Sequence, residues 1–182
     1  MVNRVVEDSI CSPPHLKSSP AWFTYMCKWR SNAMSDSGHI LVAEDDPTDA
    51  YFFQRAFRRA GIPVSLHFVR DGQEVLDYLQ GAGQFADRAV YPLPQLVLLD
   101  LNMPRLDGFQ VLEWVRRQPG FGGLQIVIFS ASGAPKDIHR AYGLGANWYL
   151  VKPHSMDELT DLVGRFKKFW LEGANHPARK AA

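Results

Sequence analysis

Short apolar runs in this chain end, again and again, on residues able to do chemistry. The run Leu96-Val97-Leu98-Leu99 leads straight into Asp100, and Pro104 and the Asp107-Gly108 pair then break the apolar pattern. That sequence places Asp100 at the C-terminal edge of a buried parallel strand, the edge at which open α/β sheets bind ligands. Ile40 to Ala43 runs in the same way into Glu44, Asp45 and Asp46; Ile126 to Phe129 runs into Ser130, and Trp148 to Val151 into Lys152. Each residue alone has an ordinary reading: a solvated acid, acids complementing a helix dipole, a loop-capping hydroxyl, a solvated lysine. Their shared position, at the ends of strands of one sheet, argues against coincidence. Clustered carboxylates raise each other's pKa unless a cation lies among them. Magnesium is the expected cofactor, because it takes oxygen ligands and binds through one or two carboxylates plus a phosphate; carboxylates alone do not separate it from manganese or calcium. An acid nucleophile, a metal site, a hydroxyl and an ammonium are the parts that place and neutralise a transferring phosphoryl group.

The elements that must position these groups alternate strand and helix five times from His39 onward. A first strand over residues 39–43 is followed by a helix opening at Pro47, N-capped by Asp46, with Ala50, Phe53, Phe57 and Ala60 as its inward stripe and Gly61 as its stop. Residues 64–69 form the second strand, and Asp71 with Glu74 caps the second helix, which ends at Gly81. Residues 84–94 make a long connector to the third strand, residues 95–100. Asp107 starts the third helix, residues 124–129 form the fourth strand, Pro135 opens the fourth helix, and residues 146–151 form the fifth strand. Ser155 and Glu158 cap a last helix whose Leu159, Leu162, Val163, Phe166 and Trp170 face inward. Such repeats imply an α/β fold: a doubly wound parallel sheet, and five strands suit the order 2-1-3-4-5. That order brings Glu44 and Asp45 beside Asp100.

The chain has 182 residues, 20 Lys plus Arg against 19 Asp plus Glu, and hence no overall field that would draw it to nucleic acid or an anionic membrane. No apolar run reaches the roughly 20 residues of a membrane span. The two cysteines, Cys11 and Cys27, lie outside the periodic region, and the six histidines lack ligand spacing, so a reducing, cytoplasmic location without structural zinc is expected. Residues 1–38 hold seven Ser and three Pro without periodicity and read as a disordered leader. Its aromatic patch of Trp22, Phe23, Tyr25 and Trp29 has no period either, and Ser31-Asn32-Ala33 before Met34 resembles a cloning scar, so the leader need not be native. Residues 39–171 form the domain and residues 172–182 a flexible tail.

From about His39 to Leu171 the chain resembles the receiver domain of two-component response regulators, a flavodoxin-like (βα)5 fold. The resemblance rests on AEDD, LLDLNMPRLDG, FSASG and YLVKP in the right order. It implies that Asp100 accepts a phosphoryl group from a histidine kinase. It makes Glu44 and Asp45 the acid pair, Asp45 the direct metal ligand and the Asn102 backbone carbonyl a further one. Ser130 and Lys152 would contact the phosphoryl oxygens, the Lys152-Pro153 bond would be cis, and Tyr149 would be an aromatic switch that moves into space freed when phosphorylation draws Ser130 inward. Glu44 stands where Asp is commoner and Ser130 where Thr is, and both keep the chemistry. The long connector and the run YPLPQLVLLDL resemble the single-domain regulators that serve bacterial phytochrome kinases.

Three other readings compete. A haloacid-dehalogenase-type phosphatase needs a second acid two residues after the first, where this chain has Asn102. An FMN binder of this fold would meet Glu44-Asp45-Asp46 with its phosphate. A degenerate receiver acting only as a binding module would not need every charged position to be present. The expected protein is therefore no enzyme beyond catalysing its own phosphorylation and dephosphorylation. Phe52, about 100° from Phe53 around the helix, is expected to be exposed beside the acids and to anchor the kinase. Nothing after Leu171 reads as an output domain, so output is expected through protein contact or a phosphorelay, with a homodimer built on the fourth helix, fifth strand and fifth helix near Phe169.

Overall fold

The computed structural model describes residues 38–167, with side chains as far as Arg165. The expected leader up to residue 37, the tail, both cysteines, Phe169 and Trp170 lie outside the described residues, as does the Phe166 side chain. Strands β1 (Gly38–Ala43), β2 (Val64–Val69), β3 (Leu96–Leu99), β4 (Gln125–Ser130) and β5 (Trp148–Val151) alternate with helices α1 (Pro47–Ala60), α2 (Gly72–Gln80), α3 (Gly108–Arg117), α4 (Pro135–Gly143) and α5 (Met156–Lys167). The strands form one sheet in the order β2-β1-β3-β4-β5, and every pairing is parallel. This is the doubly wound order expected from the sequence.

Helices on both sheet faces explain why the central strands show no alternation of apolar and polar residues. Leu96, Val97, Leu98 and Leu99 are all at most 3 % exposed, and Ile40 to Ala43 at most 2 %. Burial of each such side chain is worth about 1.5–3 kcal/mol relative to exposure. Helix α1 starts where the Asp46 carboxylate accepts the Thr48 N–H at 2.7 Å and stops at Gly61, whose φ of 59° is left-handed. Its buried residues are Phe53, Ala56 and Phe57; the expected stripe members Ala50 and Ala60 are only half-buried. Helix α3 begins with a reciprocal capping box, Asp107 accepting from Gln110 N–H at 2.8 Å and Gln110 Oε1 accepting from Asp107 N–H at 2.9 Å.

Strands β1, β3, β4 and β5 differ from their expected bounds by one or two residues at one or both ends, and for β4 and β5 the hydrogen bonds give the reason. Strand β5 starts at Trp148: the Ala146 N–H closes the turn onto the Ala141 carbonyl, and the Asn147 N–H makes the first bond to β4, at the Ile126 carbonyl, each at 2.9 Å. Strand β4 extends to Ser130 because its carbonyl accepts the Lys152 N–H at 2.8 Å. The long connector after α2 is a built lobe. Its Phe85 is buried, the Tyr78 hydroxyl donates to the Pro92 carbonyl at 3.0 Å, and the Arg88 guanidinium donates to the carbonyls of Tyr78 (2.8 Å), Leu79 (2.8 Å) and Tyr91 (3.2 Å). Arg88 thereby satisfies orphan carbonyls at the end of α2.

Candidate functional site

The ends of β1, β3, β4 and β5 converge at the C-terminal edge of the sheet. The Glu44 N–H donates to Val69 O at 3.0 Å and the Asp100 N–H to Ala43 O at 3.1 Å, so both acids continue the sheet's hydrogen bonding one residue past their strands. Glu44 and Asp100 are buried, at 6 % and 5 % exposure, and Asp45 is exposed. Lys152, from the far end of β5, reaches across them. Its Nζ lies 2.6 Å from Glu44 Oε2, 2.8 Å from Asp100 Oδ2 and 3.0 Å from Asp49 Oδ2. The other Asp100 oxygen, Oδ1, accepts the N–H groups of Leu101 at 2.6 Å and Asn102 at 3.2 Å. Asp100 is thus held at one oxygen by backbone and at the other by an ammonium. The helix after it starts close by: a Cβ on Gly108 would stand 2.2 Å from the Asp100 carbonyl oxygen, so only glycine fits there.

Burial pushes the Glu44 carboxyl up to about 7, against the opposing pull of Lys152. Burial acts on Lys152 in the opposite sense, but the hydrogen bonds and charges of Asp100 and Glu44 outweigh it and hold the ammonium above its usual range. The site is therefore an acid-rich pocket clamped by one lysine. Glu44, Asp45 and Asp100 each offer a carboxylate oxygen within 4.8 Å of the others. An all-oxygen set of two buried acids and one exposed acid fits a hard divalent cation that keeps some of its water. Asn102, whose backbone carbonyl is the further ligand expected from the resemblance, is the exposed second residue of the loop leaving Asp100.

Ser130 is completely buried at the end of β4, and its Oγ has no protein hydrogen-bond partner. Tyr149 is 4 % exposed and its hydroxyl donates to the Ser132 carbonyl at 2.7 Å. The Tyr149 ring therefore lies inside, the position in which the expected switch movement would end. The expected cis Lys152-Pro153 bond is also absent, since no cis peptide occurs among the described residues; the Lys152 ammonium reaches its carboxylates with that bond trans. Phe52 is half-buried, not exposed, on a helix that packs against α5, and its ring lies 5.8 Å from that of Tyr51. The exposed aromatic is its neighbour Tyr51, at 56 %. Tyr51 lines an open cavity beside the acids together with Glu44, Asp45, Pro47, Ala50, Gln54, Phe68 and Arg70.

Two participants escape a reading by strand ends. Asp49, in the first turn of α1, is Lys152's third carboxylate; its only sequence signal is an acid at a helix start, which the dipole already explains. Arg105 pairs with Asp71 and so ties the loop after β3 to the loop after β2, from a left-handed φ of 65° that is uncommon outside glycine.

The family model of the response regulator receiver domain matches residues 40–164. Among solved structures, response regulator RPA3017, in red light signaling of R. palustris, is 40% identical with a TM-score of 0.71, the match covering 78% of this chain and 99% of that one. The phosphorylated cyanobacterial phytochrome response regulator RcpA is 32% identical, with a TM-score of 0.69 and the same coverage of 78% and 99%. Response regulator Rcp1 of Synechocystis sp. is 32% identical over 149 residues, covering 80% of this chain and 99% of Rcp1, and its Mn(2+)-bound form superposes with a TM-score of 0.67. Among the described residues no helix is long and apolar enough to cross a membrane.

Proposed function

The chain belongs to the response regulator receiver domain family, and from that membership we propose that it is a single-domain regulator whose Asp100 takes a phosphoryl group from a histidine kinase. The observation that carries this reading is the Lys152 ammonium within 3.0 Å of Glu44, Asp49 and Asp100, beside the free Ser130 hydroxyl. An Asp100 carboxylate oxygen forms the new O–P bond as the histidine N–P bond breaks, and the imidazole leaves to the kinase. The backbone N–H groups of Leu101 and Asn102 orient the nucleophile by holding Oδ1. Lys152 exchanges part of its carboxylate pairing for the incoming phosphoryl oxygens, and the Ser130 Oγ, without a protein partner, donates to another. Magnesium, held by Asp45, Asp100, the Asn102 carbonyl and, directly or through water, Glu44, supplies charge neutralisation at the phosphoryl group when bound.

Intact-mass measurement after incubation with acetyl phosphate and magnesium tests the assignment. One phosphoryl increment is expected on the wild type and none on Asp100→Asn. Undiminished label in that variant would overturn it, and an unlabelled wild type would favour a receiver used only for binding. The protein turns over no external substrate; its chemistry is its own phosphorylation and dephosphorylation. A cytoplasmic location follows from a kinase-fed receiver. The likeness to RPA3017 and RcpA supports a bacterial phytochrome as the kinase. A near-neutral charge balance argues against nucleic acid as a partner. A homodimer through α4, β5 and α5 is supported by the exposed Tyr142 and Val151 on that face.

A further inference from the structure

A second group of polar side chains lies at the other end of the same sheet. His39 on β1 and His67 on β2 have ring centroids 5.7 Å apart. In the parallel register His67 stands opposite Leu41, two residues along from His39, so both imidazoles project to one face of the sheet. Gln95 immediately precedes Leu96, the register partner of Ile40, and its N–H donates to the His39 carbonyl at 2.9 Å, which puts the Gln95 side chain on that face too. His39 Nδ1, His67 Nε2 and Gln95 Oε1 are all buried, and none has a protein hydrogen-bond partner. Three orphaned ligand atoms from three adjacent strands on one face call for something between them, because each has given up water and gained nothing in return. The roof over them is the connector lobe: His67 packs against Tyr78 at 5.7 Å and against Tyr91 at 6.2 Å. The Tyr78 hydroxyl is committed to Pro92 and is no ligand.

We propose that this edge of the sheet is a second cation site, for a divalent transition metal of the zinc class, with His39 Nδ1 and His67 Nε2 as nitrogen ligands and Gln95 Oε1 as the oxygen ligand. Two imidazoles that share an ion through bonds of about 2.0–2.1 Å have ring centres about 5–6 Å apart, as these have. Imidazole nitrogen selects zinc, copper or nickel over magnesium, so the two ends of the sheet would sort hard from softer cations. Burial, reinforced by His39, holds His67 below its ordinary range, leaving its lone pair free at neutral pH. No carboxylate joins the set, and the ion cross-links β1, β2 and the entry to β3 beneath the connector.

Calorimetric titration of the untagged full chain with zinc chloride, in excess magnesium chloride to fill the carboxylate cluster, tests the site. One zinc per chain is expected, with affinity unchanged in Asp100→Asn and reduced at least about ten-fold in His39→Ala and His67→Ala. Nitrogen-15 spectra of the wild type, which need no variant to fold, should show shifts at His39 Nδ1 and His67 Nε2 on adding zinc. Equal affinity in wild type and both histidine variants, loss of binding in Asp100→Asn, or no shift of either ring nitrogen would each overturn the proposal; the last would leave a packed pair of imidazoles only.

Discussion

Glu44 is the acid whose protonation matters near neutral pH, because burial pushes it up to about 7 from 4.5. Between those two values the folded chain holds a proton that the unfolded chain has released. Stability of the metal-free protein therefore falls as pH rises from about 4.5 to about 7, by at most about 3 kcal/mol from this group. A divalent cation favours the ionised carboxylate, so magnesium affinity should rise over the same window. Thermal melts of the metal-free wild type at a series of pH values should show that decline, and Glu44→Gln should flatten it; an identical slope in the variant would remove Glu44 as its source. Ser130 and Tyr149 sit at the other side of the pocket, where the Tyr149 ring lies inside and its hydroxyl donates to the Ser132 carbonyl.

Helix α1 presents Tyr51 where Phe52 was expected, so Tyr51→Ala should slow phosphoryl transfer from the cognate kinase about ten-fold or more, the cost of an interface anchor. Transfer from acetyl phosphate, measured by the same mass assay, should be unchanged; equal slowing with both donors would mean that Tyr51 serves the pocket and not the docking. The connector is held by Arg88, and Arg88→Ala should cost about 2–3 kcal/mol in urea unfolding, because three carbonyls lose a charged donor. Arg88→Lys should recover only part, since one ammonium cannot replace the planar guanidinium fork. What the sequence made legible at this level were strand ends: apolar runs that stop on Glu44, Asp100, Ser130 and Lys152 mark themselves. What it hid were contacts between distant elements. Asp49 meets Lys152 across 103 positions, and α1 packs against α5, a partner that its own stripe does not declare.

Among the described residues the whole sheet ends at two edges, β2 and the short β5, and at the latter Val151 is 40 % exposed, with Tyr142 at 37 % on α4. A short edge beside apolar side chains suits isologous pairing of two copies. Light scattering of the wild type with and without a phosphoryl mimic should report a dimer, and Val151→Glu should shift it towards monomer; a wild type that is monomeric throughout would refute the dimer. The strand order and the alternation of elements were readable in advance because five βα repeats admit few topologies. The connector's internal packing was not, since Phe85, Arg88 and Tyr91 follow no period. The clamp on the acids has a consequence for synthesis. The ribosome delivers Glu44, Asp49 and Asp100 well before Lys152, which comes from the last strand. A nascent chain therefore carries its acids without their ammonium, and on the proposed mechanism a copy cut short before the fifth strand would lack the cation that meets the phosphoryl oxygens.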